Sequence, residues 1–362
     1  MKDRYLQWVL KMFPASKVDM GWRHDALVAR LDELKISIDR IESRIDGVER
    51  NILFFNQNRS YHTNVEVPGN ILSVNVEPKS LVLEQNGSKN DIFQSFWFGG
   101  NLPPLAWLSL SSFGKQRQDV ELYCYERLNL PQGITWMSAD EIIERNKVFR
   151  VCESYAAFSD IFRYALLLKK GGWWIDTDVF CVGREFPLND VLFAEESRGV
   201  ICGAIMKFPK NHICLRYMLW ETRNCNLQNY QWGDLGPKLL TRAVNLYGGY
   251  NQASPAEKVY PIHALEAYKF VLPEFYEYVS KKVSAAHFLH FWNYMFSSRF
   301  GFDPCNQRPL PGSFLDSLYR EYDIYEMYDL AEPPEKVVRE TCRKFLEQKW
   351  VRQHAKINNI DI

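Results

Sequence analysis

No two of the eight cysteines stand as a C-x-x-C pair; they fall at 124, 152, 181, 202, 214, 225, 305 and 342. That spacing excludes a zinc ribbon and a thioredoxin-like redox motif. Cys181 and Cys202 lie in apolar runs and read as small buried hydrophobes. Unpaired thiols of this kind suit a reducing compartment. A charge excess of either sign is also lacking: Lys+Arg and Asp+Glu each number 44. A nucleic-acid binder carries a basic excess or stripe, so no nucleic acid is expected as a partner. No apolar run approaches the roughly 18 residues that span a bilayer, and no secretory leader is evident. A cytoplasmic protein is the expectation.

What the chain does have is length and aromatic surface. Its 362 residues suffice for a sizeable core plus an appendage, and 15% of them are aromatic. Trp and Tyr fill cores and also present flat faces to ligands such as sugars. Near the start, "YLQWVLKMF" with its basic flanks forms a short amphipathic stretch, suited to packing on the protein or on a membrane surface. Leu27, Leu31, Leu34, Ile38, Ile41, Ile45, Val48 and Ile52 then follow at spacings of 4 and 3. A period of 3.5 predicts a left-handed coiled coil, and an isolated helix of this length needs a partner. Self-association through residues 1–54 is expected.

Residues 55–90 are rich in Asn, Ser, Pro and Gly and read as a linker. From Asp91 the texture changes to short apolar strands alternating with helical stretches, which argues for an α/β domain over 91–330 with a mostly parallel sheet. "DIFQSFWFGG" and "DVELYCYE" read as strands. "SADEIIERN" reads as a helix start, with Ser138 as N-cap and an acidic first turn. A helical period runs through 154–170, and "GGWWIDTDVFCVG" reads as a turn and then a strand. Residues 331–362 read as a C-terminal amphipathic helix over about 334–356, whose basic residues also suit a lipid surface.

The chemistry concentrates in "FSDIFRYALLLKKGGWWIDTDVF", residues 158–180. In an extended chain, residues i and i+2 share a face, so Asp176 and Asp178 converge. Two adjacent carboxylates repel unless a cation sits between them, and Mg²⁺ or Mn²⁺ is the natural choice. With 19 aspartates in 362 residues, about one D-x-D is expected by chance, so the pair alone is weak evidence. Asp160 and Arg163 add weight: three apart on a helix, they share a face just ahead of the turn that delivers the pair. A carboxylate there accepts from sugar hydroxyls, and a guanidinium fork binds phosphate.

This stretch resembles the S-D-x-x-R … G-G-x-Y-x-D-x-D signature of the DXD-motif sugar transferases. That group includes α-1,4-galactosyltransferases, α-1,4-N-acetylglucosaminyltransferases and bacterial polysaccharide enzymes. Three further stretches agree in order: "FWFGGNLP" (96–103), "WGDLGPKLLTRAV" (232–244) and "HFWNY" (290–294). The resemblance spans about residues 91–300. It implies a GT-A type, Rossmann-like glycosyltransferase domain, here preceded by the coiled coil. It implies Mn²⁺ or Mg²⁺ and a UDP-sugar donor, with Asp176, Asp178 and His290 on the metal. Trp97, Phe98, Gly99, Asp160, Arg163, Gly172, Trp174, Trp292 and Asn293 are implied to line the donor site. His287, in the same apolar run as His290, reads as core. Where the family usually has Tyr, Trp174 stands, which removes a hydroxyl and leaves packing.

The implied reaction is retaining, by front-face substitution aided by Arg163, or by double displacement with Asp234 as nucleophile. The expected role is transfer to a saccharide or lipid-linked acceptor in bacterial surface polysaccharide synthesis, at the inner face of the membrane. The alternatives are a toxin-type transferase that modifies a protein, and an inactive coiled-coil scaffold of a glycan assembly complex.

Overall fold

A computed structural model describes residues 91–151, 154–183, 185–223, 230–249, 253–333 and 335–362. The heptad segment and the linker lie outside these residues. A six-stranded sheet forms the centre, in the order β3-β2-β1-β4-β7-β6. Its strands are β1 (Phe93–Trp97), β2 (Val120–Cys124), β3 (Ile134–Ser138), β4 (Gly172–Ile175), β6 (Leu192–Ser197) and β7 (Val200–Phe208). The pairs β1–β2, β2–β3 and β1–β4 are parallel; β4–β7 and β6–β7 are antiparallel. The remaining strands, β5 (Val179–Cys181) and β8 (Phe288–His290), form a separate antiparallel pair.

The parallel half is covered on both faces, so β1 is buried on both sides and its two polar residues, Gln94 and Ser95, are buried with it. Alternation along β4 sends Trp173 and Trp174 to opposite sides. Trp173 joins a core with Phe93, Phe113 and Phe288. Trp174 joins another with Phe96, Phe158, Phe162 and Phe208. Helix α1 (Pro104–Lys115) belongs to the first core and α2 (Ala156–Lys170) to the second.

The turn from α2 into β4 sets the position of everything downstream. Gly171 ends the helix at φ 67°, and a Cβ there would lie 2.6 Å from the backbone nitrogen of Lys210. Only glycine meets both demands. Its carbonyl accepts from the buried Gln94 Nε2 at 2.7 Å. At the other end of β4, Ser95 Oγ donates to the Ile175 carbonyl at 2.7 Å and holds that edge beside β1.

Three local expectations change. Residues 176–178 are a turn between β4 and β5 rather than extended strand, closed by Val179 N–H donating to Asp176 O at 3.1 Å. "SADEIIERN" forms two three-residue 3-10 turns, not a helix. Ser138 is the last paired residue of β3, opposite Cys124, and its side chain caps nothing. The C-terminal segment is two helices, Glu335–Glu347 and Lys349–Asn358. Gln348 is extended between them and lets Trp350 fold edge-on against Phe345 at 5.6 Å. Among the described residues, no helix is long and apolar enough to cross a membrane.

Candidate active site

The carboxyl end of β4 delivers Asp176 onto β7. The Asp176 N–H donates to the Ala204 carbonyl at 2.8 Å. One residue earlier on β7, the Gly203 carbonyl accepts from Arg163 Nη1 at 2.6 Å. Helix α2 therefore presents Arg163 to the same stretch of β7 that positions Asp176. The guanidinium is 3.1 Å from Asp160 Oδ1 and 3.3 Å from Asp176 Oδ1. It also lies 5.0 Å from the centre of the Trp174 ring.

Two glycines make room for this pair. A Cβ on Gly203 would come 2.8 Å from Arg163 Nη1, and a Cβ on Gly236 would come 2.7 Å from Asp160 Oδ2. The second glycine of "WGDLGP" is thus a steric requirement of Asp160. Tyr164 fastens the same loop, its hydroxyl donating to the Leu235 carbonyl at 2.8 Å.

Asp178 is held from the other side. The pairing of β5 with β8 sets Val179 opposite His290, and the Phe291 N–H donates to the Asp178 carbonyl at 3.0 Å. His290 Nε2 then lies 3.2 Å from Asp178 Oδ1, and the Asn293 N–H donates to Asp178 Oδ2 at 2.9 Å. That N–H follows Trp292, a non-glycine residue at φ 57°. Such a conformation is costly and is kept where the surroundings demand it.

Asp176, Asp178 and His290 offer ligand atoms that all lie within 4.8 Å of one another. Two carboxylates and one imidazole suit a hard or borderline divalent ion such as Mg²⁺ or Mn²⁺. The His290 Nδ1 is buried with no hydrogen-bond partner, while Nε2 faces the carboxylates. The residues therefore fit a cation at this place.

Charge is unevenly shared. Burial raises the Asp176 carboxyl, against the pull of Arg163. Burial also works against the charge on Asp178, but His290 and the Asn293 amide hold it below the usual range. For His290 burial is outweighed by Asp178, and the imidazole is raised. Burial pushes Asp160 up to about 6 despite Arg163.

The remaining expected residues divide. Trp174 is buried, and its indole N–H donates to Asp176 Oδ1 at 2.7 Å. The indole thus orients a metal-ligand candidate. Trp97, Phe98 and Gly99 sit at the carboxyl end of β1, where Phe98 packs on Tyr155 at 4.2 Å. Among the described residues, no hydrogen bond or ion pair joins them to the acidic cluster. Gly172 lies at the amino end of β4, away from the Asp pair, and at φ 95° it serves the turn. Asp234 is engaged locally: Oδ2 accepts from the Gln231 N–H and Oδ1 from Lys238 Nζ, both at 2.8 Å. His287 is not among the clustered ligand atoms.

Asp160 supplies a pH-dependent prediction. The folded chain binds its proton up to about pH 6 and the unfolded chain only up to about 3.8. Between these values the native state holds more protons, so stability falls as pH rises. Thermal melting from pH 4 to 7 should show wild type losing stability relative to Asp160→Asn, by up to a few kcal/mol. Parallel curves would contradict the assignment.

The family described as "Capsular polysaccharide synthesis protein" matches residues 50–201, which include Asp160, Arg163, Asp176 and Asp178. Lactosylceramide 4-alpha-galactosyltransferase of Mus musculus is 30% identical over 146 residues, 37% of this chain and 40% of that protein. Alpha-1,4-N-acetylglucosaminyltransferase of Homo sapiens is 27% identical over 192 residues, 49% of this chain and 53% of that protein. The chain thus spans about two fifths to one half of the length of these relatives. Among solved structures, the PaToxG glycosyltransferase matches at a TM-score of 0.32 and 16% identity, over 43% of this chain and 68% of that one. The chain is thus similar to proteins named as glycosyltransferases, an alpha-galactosyltransferase and an N-acetylglucosaminyltransferase.

Proposed function

We propose that the chain is a metal-dependent glycosyltransferase of GT-A architecture. It moves a hexose or N-acetylhexosamine from a UDP-sugar to a saccharide or lipid-linked acceptor. One observation carries this reading: Asp176, Asp178 and His290 converge beside the Asp160–Arg163 pair at the carboxyl end of a parallel strand. That end of the strands is where open α/β sheets bind ligands. The names of the relatives support the reaction class.

A divalent cation held by Asp176, Asp178 and His290 would neutralise the diphosphate that departs. Arg163 is buried and held by oxygens of Ser159, Asp160, Asp176 and Gly203, so it is preorganised to face developing negative charge. Trp174 orients Asp176 through its indole N–H. Front-face substitution needs no protein nucleophile. The bond from the anomeric carbon to the phosphate oxygen breaks, the acceptor oxygen bonds to that carbon, and its proton passes to the departing phosphate. The engagement of both Asp234 oxygens in a turn favours this route over double displacement at Asp234.

The self-association expected of residues 1–54 and a place at the inner face of a bacterial membrane remain parts of this proposal. Deleting residues 1–54 should yield a monomer in solution, and an unchanged mass would contradict the coiled coil.

The test of function is donor turnover with a panel of UDP-sugars, with and without Mn²⁺. Wild type should hydrolyse or transfer from one of them only with metal. Asp176→Ala/Asp178→Ala should lose about two orders of magnitude or more, while Asp234→Asn keeps near-normal transfer. Labelling of a protein in place of a glycan or glycolipid would move the acceptor class. Absence of turnover and of nucleotide binding under every metal would overturn the reading.

A further inference from the structure

Glu196 is an acidic residue that the site described so far does not use. It lies in β6, next to the hairpin into β7. The pairing runs Ala194 opposite Cys202 and Glu195 opposite Ile201, then shifts to Ser197 opposite Val200. Between the last two pairs β6 has one residue more than β7, and that residue is Glu196. A bulge of this kind re-aims a side chain and is often found beside active sites.

The surroundings of Glu196 indicate where it is aimed. Ala194, Cys202 and Ala204 belong to the core that contains Val179, Phe288 and Trp292, whereas Phe193 and Ile201 belong to the other. The Glu196 carboxylate meets the Cys202 thiol and acts electrostatically on both His290 and Tyr260. Tyr260 lies between β7 and His290: its hydroxyl accepts from the Ile205 N–H at 3.1 Å, and its ring is 5.9 Å from that of His290. Cys202 directly precedes Gly203 and Ala204, whose carbonyls hold Arg163 and the Asp176 amide, so the bulge sets Glu196 beside the stretch of β7 that positions the site, while Arg163 and Asp160 approach from α2. The next residue, Ser197, is fixed by a hydrogen bond to His263 Nε2 at 2.9 Å.

Glu196 is only partly buried, and among the described residues no Lys or Arg forms an ion pair with it. Burial nevertheless raises its carboxyl, with Cys202 and His290 acting in the opposite direction. A carboxylate that is partly desolvated, without a Lys or Arg partner and still open to solvent has acceptor capacity beyond the Cys202 thiol. A diphosphate would be repelled there. Sugar hydroxyls are the matching ligands, because each donates and a carboxylate accepts strongly.

We propose that Glu196 is a sugar-binding residue of this site, accepting hydrogen bonds from hydroxyls of the hexose carried by the nucleotide donor. The proposal rests on the glycosyltransferase reading and adds to it the side from which the transferred sugar is held. In this arrangement the cation ligands and Arg163 face the diphosphate, and Glu196 faces the sugar.

Calorimetric titration of the full chain with UDP, UDP-glucose, UDP-galactose and UDP-N-acetylglucosamine, each with Mn²⁺, tests this. Wild type, Glu196→Gln and Glu196→Ala are compared after thermal melting confirms that each is folded. Glu196→Ala should bind the preferred UDP-sugar about tenfold more weakly, the loss expected of one charge-assisted hydrogen bond. Glu196→Gln should fall between, since an amide oxygen still accepts. Affinity for UDP should be unchanged in both. Equal weakening of UDP and UDP-sugar would overturn the proposal, because Glu196 would then act through the metal ligands or the fold. Unchanged UDP-sugar affinity would overturn it as well, whether or not acceptor kinetics change. If wild type itself binds no nucleotide with any metal, the transferase reading fails first and this proposal falls with it.

Discussion

Arg163 is a cation inside the protein, with Asp160 Oδ1 at 3.1 Å, Asp176 Oδ1 at 3.3 Å and the Gly203 carbonyl at 2.6 Å. Burial alone would lower its proton affinity, but Asp176 and Asp160 reverse this and keep it charged. Removing one partner of such a cluster leaves an uncompensated buried charge, which is strongly destabilising. The neighbouring structure follows from that constraint. Gly203 and Gly236 lack side chains where Arg163 and Asp160 stand. Trp174 supplies a second donor to the oxygen of Asp176 that Arg163 already holds.

The other half of the site is organised by a different element. Asp178 belongs to the β5–β8 pair and depends on His290 and the Asn293 amide, which come from over a hundred residues later in the chain. The cation site is therefore assembled across a boundary. Asp176 belongs to the α2–β4–β7 framework, and Asp178 with His290 belongs to the small strand pair. A metal bound by all three would tie these parts together, and so would the diphosphate it carries. Trp292, held at positive φ, marks the point where the backbone bends to aim the Asn293 amide at Asp178.

Much of this was legible in the residue order. The buried strands around Phe93 and Val120, the helix carrying Asp160 and Arg163, and the grouping of Asp176, Asp178 and His290 follow from local pattern and motif. What was not legible depends on contacts distant in sequence. Nothing near Gly203 or Gly236 shows that Arg163 and Asp160 would occupy the space of their Cβ atoms. Glu196 gains its place from a shift in pairing register, which one strand alone does not reveal. The indole N–H of Trp174 reaches Asp176, a contact between residues two apart that depends on the turn after β4. Ser138 has the composition of a helix N-cap, but pairing with β2 keeps it in a strand, a tertiary override of local propensity. Asp176 and Asp178 come together through a turn rather than along an extended strand.

The most direct test of the central claim is anomalous diffraction at the manganese edge from crystals grown with Mn²⁺ and UDP. One peak is expected within coordination distance of Asp178 and His290, about 2.0–2.3 Å from their ligand atoms, with Asp176 close by and the diphosphate on the open side. A peak elsewhere, or UDP bound at this site with no metal signal beside the two aspartates, would contradict it.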